Sequence, residues 1–374
     1  MSPAILKSNT SVKMSNRLHI GIVTWHYYGN FGSALQSLAL FRAASSMGEV
    51  EFVNYRDPRF GSPNKLKDAI RIVLGATIGH LISKYAYGKC VFSHRYLKEG
   101  KLTTDEKTLT NLAGKYDIII CGSDQIWAPN CFNPVYFASF AQPHTRKISY
   151  AASIGLNDIP SPLVQEYRTL LSSFAAISVR EDEGKKLLYD RCGINSTVVL
   201  DPTLLHDASF YSKLQCRVPG IKGRFMLCYF LNTDHQYQER VECYARQHNL
   251  QIVGVSDRDD DGNWMLRLTN LGAHHFLWLV NNAEVVMTDS YHGTIFSLLF
   301  HKTFYTFVRF AEDSPICQNS RIRQLQSYFN LEGHILGATD IPMATTMDYI
   351  NFERRLGVLR KESLDYLHRA LVSC

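Results

Sequence analysis

The stretch Ala283–Thr294, AEVVMTDSYHGT, decides how the fold is read. Val285-Val286-Met287 is an apolar run of the kind that forms a strand buried on both faces of a parallel sheet. Thr288-Asp289-Ser290 are turn and helix-capping residues. Tyr291-His292-Gly293-Thr294 follows, and Ile295–Phe300 has the composition of a buried helix. His292 is thereby placed where a strand hands over to a helix. Unsatisfied backbone N–H groups and the positive end of the helix dipole favour an anion there. Open α/β sheets bind ligands beyond the carboxyl ends of their strands. The same residues also read as a capped turn holding a structural histidine.

Outward from this point, strands alternate with helical segments, which is an α/β pattern. Towards the N-terminus the strands are Leu18–Thr24, Glu51–Asn54, Tyr116–Cys121, Lys147–Ala151, Ala176–Val179 and Val198–Leu200. From about Lys222 the pattern restarts with Arg224–Phe230 and Gln251–Val255, followed by Val285–Met287 and Thr303–Thr306. The restart predicts two doubly wound domains, residues 17–205 and 206–345. Residues 346–374 form one long helical pattern that could pack across the domain junction. The first sixteen residues are polar and are expected to be a disordered tail, without the apolar core of a signal peptide.

The 374 residues are 45% hydrophobic and 20% charged, a soluble globular balance with no apolar run of membrane-spanning length. Nine cysteines without a C-x-x-C pair read as thiols of a reducing compartment, so a cytoplasmic location is expected. The net charge of +6 permits an anionic substrate or membrane surface without demanding nucleic acid, and no nucleic-acid signature is present. Between Lys65 and Lys98, seven basic residues accompany one acid, Asp68, and apolar residues recur at helical spacing. That pattern suits either the inner face of a membrane or a packed helical hairpin with a solvated basic face.

Several loops carry candidate chemistry. His26–Gln36 contributes Asn30, Gly32, Ser33 and Gln36 between a strand and a helix, with glycines that allow close approach of a ligand. It is not a dinucleotide fingerprint. Ser123, Asp124, Gln125 and Trp127 follow a strand and combine hydroxyl, carboxylate, amide and indole. That mix suits a sugar, and equally an N-cap with a core tryptophan. Arg180 follows another strand, where it would grip phosphate or carboxylate or pair with Glu181, Asp182 or Glu183. Asp201-Pro202-Thr203 reads as a structural turn. Arg321 and Arg323 precede a helical pattern and suit an anion or surface pairing. His274-His275 is set aside as a metal pair because adjacent helical residues point apart, and no metal site is expected.

Taken together, the blocks resemble the polysaccharide pyruvyl transferase family. The residues that carry the resemblance are Tyr28-Gly29-Asn30-Phe31-Gly32, Gly122–Trp127, Ser178–Glu181, Asp201–Leu205, Thr288–Thr294 and Asn319–Ile322. They run in the family's order from about Leu18 to Gly333. The resemblance implies two Rossmann-like domains facing a cleft, as in GT-B glycosyltransferases. It implies phosphoenolpyruvate as co-substrate, a sugar hydroxyl pair as acceptor, and a cyclic pyruvate ketal as product on a bacterial surface glycan or its polyprenyl-pyrophosphate-linked oligosaccharide precursor. No cofactor or metal is needed. Donor binding then falls to Arg180, Ser290, His292, Gly293, Thr294 and Arg321. Acceptor binding falls to Asn30, Gly32, Ser123, Asp124, Gln125 and Trp127. His292, Arg180 and Asp124 are the catalytic candidates. Some relatives carry an arginine where this chain has Ser290, so that phosphate contact is either missing here or supplied by Arg309 or Arg321. Two other readings stand beside this one: a GT-B glycosyltransferase with a nucleotide-sugar donor, and a non-catalytic glycan-binding protein.

Overall fold

The computed structural model describes residues 17–26, 30–60, 87–231, 237–255, 264–314, 316–343 and 345–372. The expected N-terminal tail, Tyr28 and Gly29 of the glycine-rich block, and the part of the basic segment before Tyr87 lie outside the described residues.

Two all-parallel sheets organise the chain. The first is ordered β2-β1-β3-β4, with β1 Leu18–Val23, β2 Gly48–Phe52, β3 Ile118–Cys121 and β4 Arg146–Ser149. A short parallel pair, β5 Ser178–Val179 and β6 Thr197–Val198, continues beside β4 through the bridges Ile148–Ala176 and Ala152–Val179. The second sheet is ordered β12-β11-β10-β7-β8-β9. Its strands are β7 Phe225–Tyr229, β8 Gln251–Val255, β9 Leu266–Leu268, β10 Val285–Thr288, β11 Thr303–Phe307 and β12 Ile335–Leu336. All four residues of β3 and all four of β10 are buried, as expected of strands covered on both faces.

Strand order reverses between β1 and β3 in the first sheet and between β7 and β10 in the second. Ligands of open α/β sheets bind at such switch points, beyond the strands' carboxyl ends. Here the two switch points face each other. The helix after β1, Phe31–Ala44, meets the helix after β10, Tyr291–Leu299. Phe31 joins the two halves further by stacking on Phe276 of helix Ala273–Asn282, with ring centres 5.1 Å apart. A single apolar cluster runs through both halves, from Ile20 and Leu38 to Leu227, Val286 and Phe296.

The final helix, Tyr349–Val372, touches both halves. Its Tyr366 hydroxyl donates to Ser149 O, and its Ser363 Oγ accepts from Leu200 N. At its other end Phe352 packs edge-on against Phe329, and Glu353 reaches His301 at 2.8 Å. Among the described residues, no helix is long and apolar enough to cross a membrane.

Candidate functional site

A cleft of about 370 Å³ opens where the two switch points meet. Its second-half wall begins at Ser290, the N-cap of helix Tyr291–Leu299, whose hydroxyl accepts from Gly293 N at 3.3 Å. Tyr291 and His292 therefore occupy the first turn of that helix, closer to its N-terminus than the apolar run alone indicated. The first-half wall begins at Asn30, which caps helix Phe31–Ala44 by accepting from Gly32 N and Ser33 N. Gly32 lies directly against the imidazole, since a Cβ there would sit 2.0 Å from His292 Nδ1. A side chain at this position would push the histidine out of place.

Asp124, in the loop that follows β3, accepts a 2.5 Å hydrogen bond from Ser33 Oγ and lines the cleft. Gln125 donates to Gln318 Oε1 at 3.0 Å, and Arg321 donates to the same oxygen at 2.7 Å. This bridge ties the first half to the second across the cleft. Gly155 packs against the Gln125 side chain, where a Cβ would fall 2.1 Å from Nε2.

Cations gather around the Tyr291 ring. The Arg180 guanidinium lies 4.7 Å from the ring centre and that of Arg321 lies 5.7 Å from it. Burial, then the neighbouring charge of Arg180 and Arg309, push Arg321 down to about 10, against the pull of Glu181 and Asp124. Burial acts against the Arg180 charge too, but Glu181, Tyr291 and Asp201 override it and raise the guanidinium above its ordinary value. Arg180 NH2, Arg309 Nε and Arg321 Nε are buried without a hydrogen-bond partner. Crowded guanidiniums with spare donors favour an anion, and a phosphate or carboxylate accepts them in pairs.

Beneath this cluster, Asp201 Oδ2 accepts from Arg180 NH1 at 2.7 Å and lies 3.5 Å from His292 Nε2. Burial would raise the Asp201 carboxyl, yet His292, Arg180 and Thr203 hold it well below the usual carboxylate range.

The expected residues thus divide. Asn30, Asp124, Gln125, Ser290, His292 and Arg321 line the cleft. Arg180 is 2% exposed and sits against the Tyr291 ring, where Glu181 and Asp201 pair with it. Three expectations are corrected. Trp127 is fully buried, stacks on Phe137 and donates from Nε1 to Tyr136 O, so it is core and not an acceptor platform. Ser123 is fully buried and its hydroxyl is spent on Ala151 O. The Gly293 and Thr294 N–H groups are taken by Ser290 Oγ and Ser290 O, and the Thr294 hydroxyl meets Thr306, so neither residue offers an anion its donors. The sequence reading missed Gly32 as a steric neighbour of His292, Tyr291 as the aromatic floor, Gln318 as a bridge, and Asp201 as more than a turn. The Asp-Pro-Thr turn was the one local signal among them.

Outside the cleft, the donor atoms of Cys216, His274 and His275 lie within 4.8 Å of one another, the one group among the described residues spaced to hold a metal. The two histidine rings are 4.0 Å apart and do not diverge as adjacent helical residues were expected to. The reason is the helix start: His275 turns back so that its Nδ1 caps Gly272 N–H at 3.1 Å, which engages that nitrogen.

A sequence model described as polysaccharide pyruvyl transferase matches residues 30–309, most of the chain. No curated protein matches the sequence significantly. Among solved structures, UDP-N-acetylglucosamine 2-epimerase from Rickettsia bellii aligns over 95% of this chain and 97% of its own, at 10% identity and a TM-score of 0.52. The Methanocaldococcus jannaschii UDP-GlcNAc 2-epimerase aligns over 96% and 99% at 11% identity and a TM-score of 0.48. The E. coli heptosyltransferase WaaC aligns over 83% and 99% at 10% identity and a TM-score of 0.40. The fold is that of the GT-B proteins: two parallel α/β units with the cleft between them.

Proposed function

The chain belongs to the polysaccharide pyruvyl transferase family, and from that premise we propose that it moves the pyruvyl group of phosphoenolpyruvate onto two hydroxyls of one sugar. The observation that carries this reading is the arginine cluster at His292. Arg309 and Arg321 line the cleft and Arg180 is buried against Tyr291 beside Arg321, each with a buried donor that has no partner. Phosphoenolpyruvate brings a phosphate and a carboxylate, enough negative charge to occupy such a cluster. Arg309 and Arg321 supply the cationic contact that Ser290 does not.

The reaction begins with a proton placed on the donor's methylene carbon, which leaves the neighbouring carbon oxocarbenium-like. One sugar hydroxyl adds to it. The carbon–oxygen bond to phosphate breaks, and the second hydroxyl closes the ketal. Of the two hydroxyl protons, one balances the new methyl group and one leaves with phosphate. His292 is placed to supply the first proton or to hold the departing phosphate. Asp124 is placed to orient the attacking hydroxyl or accept its proton, and Ser33 holds it at 2.5 Å. The acceptor is a sugar of a bacterial surface glycan, carried on a polyprenyl pyrophosphate at the inner face of the membrane. The basic run Lys65–Lys98 supports that placement through its charge.

The test is phosphate release from phosphoenolpyruvate by the purified full chain. The acceptor panel includes galactose-, mannose- and glucose-type sugars, free and on lipid pyrophosphate. Acceptor-dependent release is expected, reduced by at least about 100-fold in His292→Ala and in Arg321→Ala. If no acceptor supports release, and a nucleotide sugar stabilises the fold where phosphoenolpyruvate does not, the donor assignment fails.

A further inference from the structure

Asp201 has no part in the reaction steps written above, yet two donor-site side chains, Arg180 and His292, converge on it. Its Oδ2 accepts from Arg180 NH1 at 2.7 Å and stands 3.5 Å from His292 Nε2. Its Oδ1 accepts from the Thr203 N–H at 2.9 Å and from the Thr203 hydroxyl at 2.6 Å. With both oxygens engaged and the side chain buried, the carboxylate cannot rotate away. His292 Nε2 is itself buried and has no hydrogen-bond partner at normal distance. Asp201 is the acceptor that stands nearest to completing it.

We propose that Asp201 is the positioning residue of this cleft, fixing His292 with its proton on Nε2 and presenting Arg180 from the same carboxylate oxygen. The inference rests on the pyruvyl-transfer reading and deepens it. A neutral imidazole carries one proton, and an anion at one ring nitrogen keeps the proton there. Nδ1, on the Gly32 side of the ring, is then the nitrogen that exchanges a proton with the substrate. When His292 takes up a second proton, the carboxylate behind it stabilises the imidazolium. Hydrogen bonds of this kind commonly tighten when substrate binds.

The charged groups around the dyad fit this assignment. Glu181 accepts from Arg180 Nε at 2.9 Å and from Ser153 Oγ at 2.8 Å, so Arg180 does not rely on Asp201 alone. Tyr291 packs against His292 on the same helix, edge to face. Tyr150 and Tyr211, buried beside Asp201, are held neutral by burial and by its charge. Arg321 and Asp124 face the dyad from the cleft.

The experiment is long-range proton–nitrogen NMR on the full chain labelled at histidine nitrogen, without substrate, with His292 assigned by its loss in His292→Gln. At a pH alkaline enough to leave the ring neutral, the expected result is a proton on Nε2, and a redistribution toward Nδ1 in Asp201→Asn. Thr203→Val, which keeps the charge and the N–H bond to Oδ1 but removes the hydroxyl's bond to it, is expected to give a smaller change in the same direction. In turnover, Asp201→Asn is expected to lower kcat by about 100-fold or more and to move the alkaline limb of the pH profile to lower pH. A wild-type ring protonated at Nδ1 overturns the proposal. So does Asp201→Asn that loses turnover with tautomer and pH profile unchanged, because that is a structural loss. If Asp201→Asn does not fold, the wild-type tautomer and Thr203→Val still decide. The tautomer is read without phosphoenolpyruvate, so an enzyme that transferred something else would fail the phosphate-release assay and leave this test standing.

Discussion

Gly32 shows how one atom's absence sets the site. It occupies the first turn of a helix, where alanine would gain up to about 1 kcal/mol from helix propensity. A Cβ there would nevertheless meet His292 Nδ1 at 2.0 Å. Gly32→Ala is therefore expected to keep its melting temperature within a few degrees while losing at least ten-fold in phosphate release. Full turnover in that variant would mean that the observed imidazole position is not the one the chemistry uses. Trp127 teaches the opposite lesson. In the sequence an indole beside Ser123, Asp124 and Gln125 spells a sugar platform and a core residue equally well. What separates the two is distant: Phe137, Phe174 and Tyr136 enclose it. Trp127→Ala is expected to cost about 3–5 kcal/mol in a urea titration. Trp127→Phe is expected to leave the acceptor KM unchanged, and a large rise in KM would return the residue to the cleft.

Elements were more legible than side-chain roles, because period and burial are local signals and partnerships are not. The buried runs of β1, β3, β7, β8, β10 and β11 all stand out in the sequence. β9 and β12 do not, being three and two residues long at the sheet edges. Helix starts were read late at both walls of the cleft. Ser290 reads as a turn and capping residue and does cap, whereas Asn30 reads as loop although it belongs to a residue type that ends a loop by capping a helix. That shift of a few residues carries His292 into the first turn, where the dipole is strongest. It also gives a way to separate capping from binding. Asn30→Ala is expected to cost about 1 kcal/mol through the lost cap. Asn30→Asp keeps the cap and the stability but sets a negative charge at the mouth of a cationic cleft. Weaker phosphoenolpyruvate binding with an unchanged melting temperature is the expected result for Asn30→Asp, read by calorimetry. Equal binding by both proteins would show that the donor's charge lies elsewhere.

Across the whole molecule, the two-fold restart of the strand pattern gives the architecture, but not how the halves are held. Contacts between residues far apart in the chain do that, and several involve buried histidines. His206 Nε2 lies 2.9 Å from Ala39 O, and His274 stacks on Phe92. Burial lowers the affinity of His26, His206, His274, His275 and His334 for a proton. For His274, burial and then the neighbouring His275 and Arg95 bring the value down to about 4. Each ring is freer to bind a proton in the unfolded chain than in the fold. As pH falls below about 6.5 the unfolded state takes up protons that the native state refuses, and stability falls with it. The loss continues until the native rings also protonate, near pH 4 for His274. Asp201 adds the same sign further down, because its carboxyl is held below the usual range and must be protonated to unfold in acid. The expected outcome is a urea midpoint that drops measurably from pH 7 to pH 5, by on the order of 1–2 kcal/mol in stability. His274→Phe preserves the stack on Phe92 and removes a titrating ring. Its midpoint is expected to fall less over the same interval, and an identical fall in variant and wild type would remove His274 from the account.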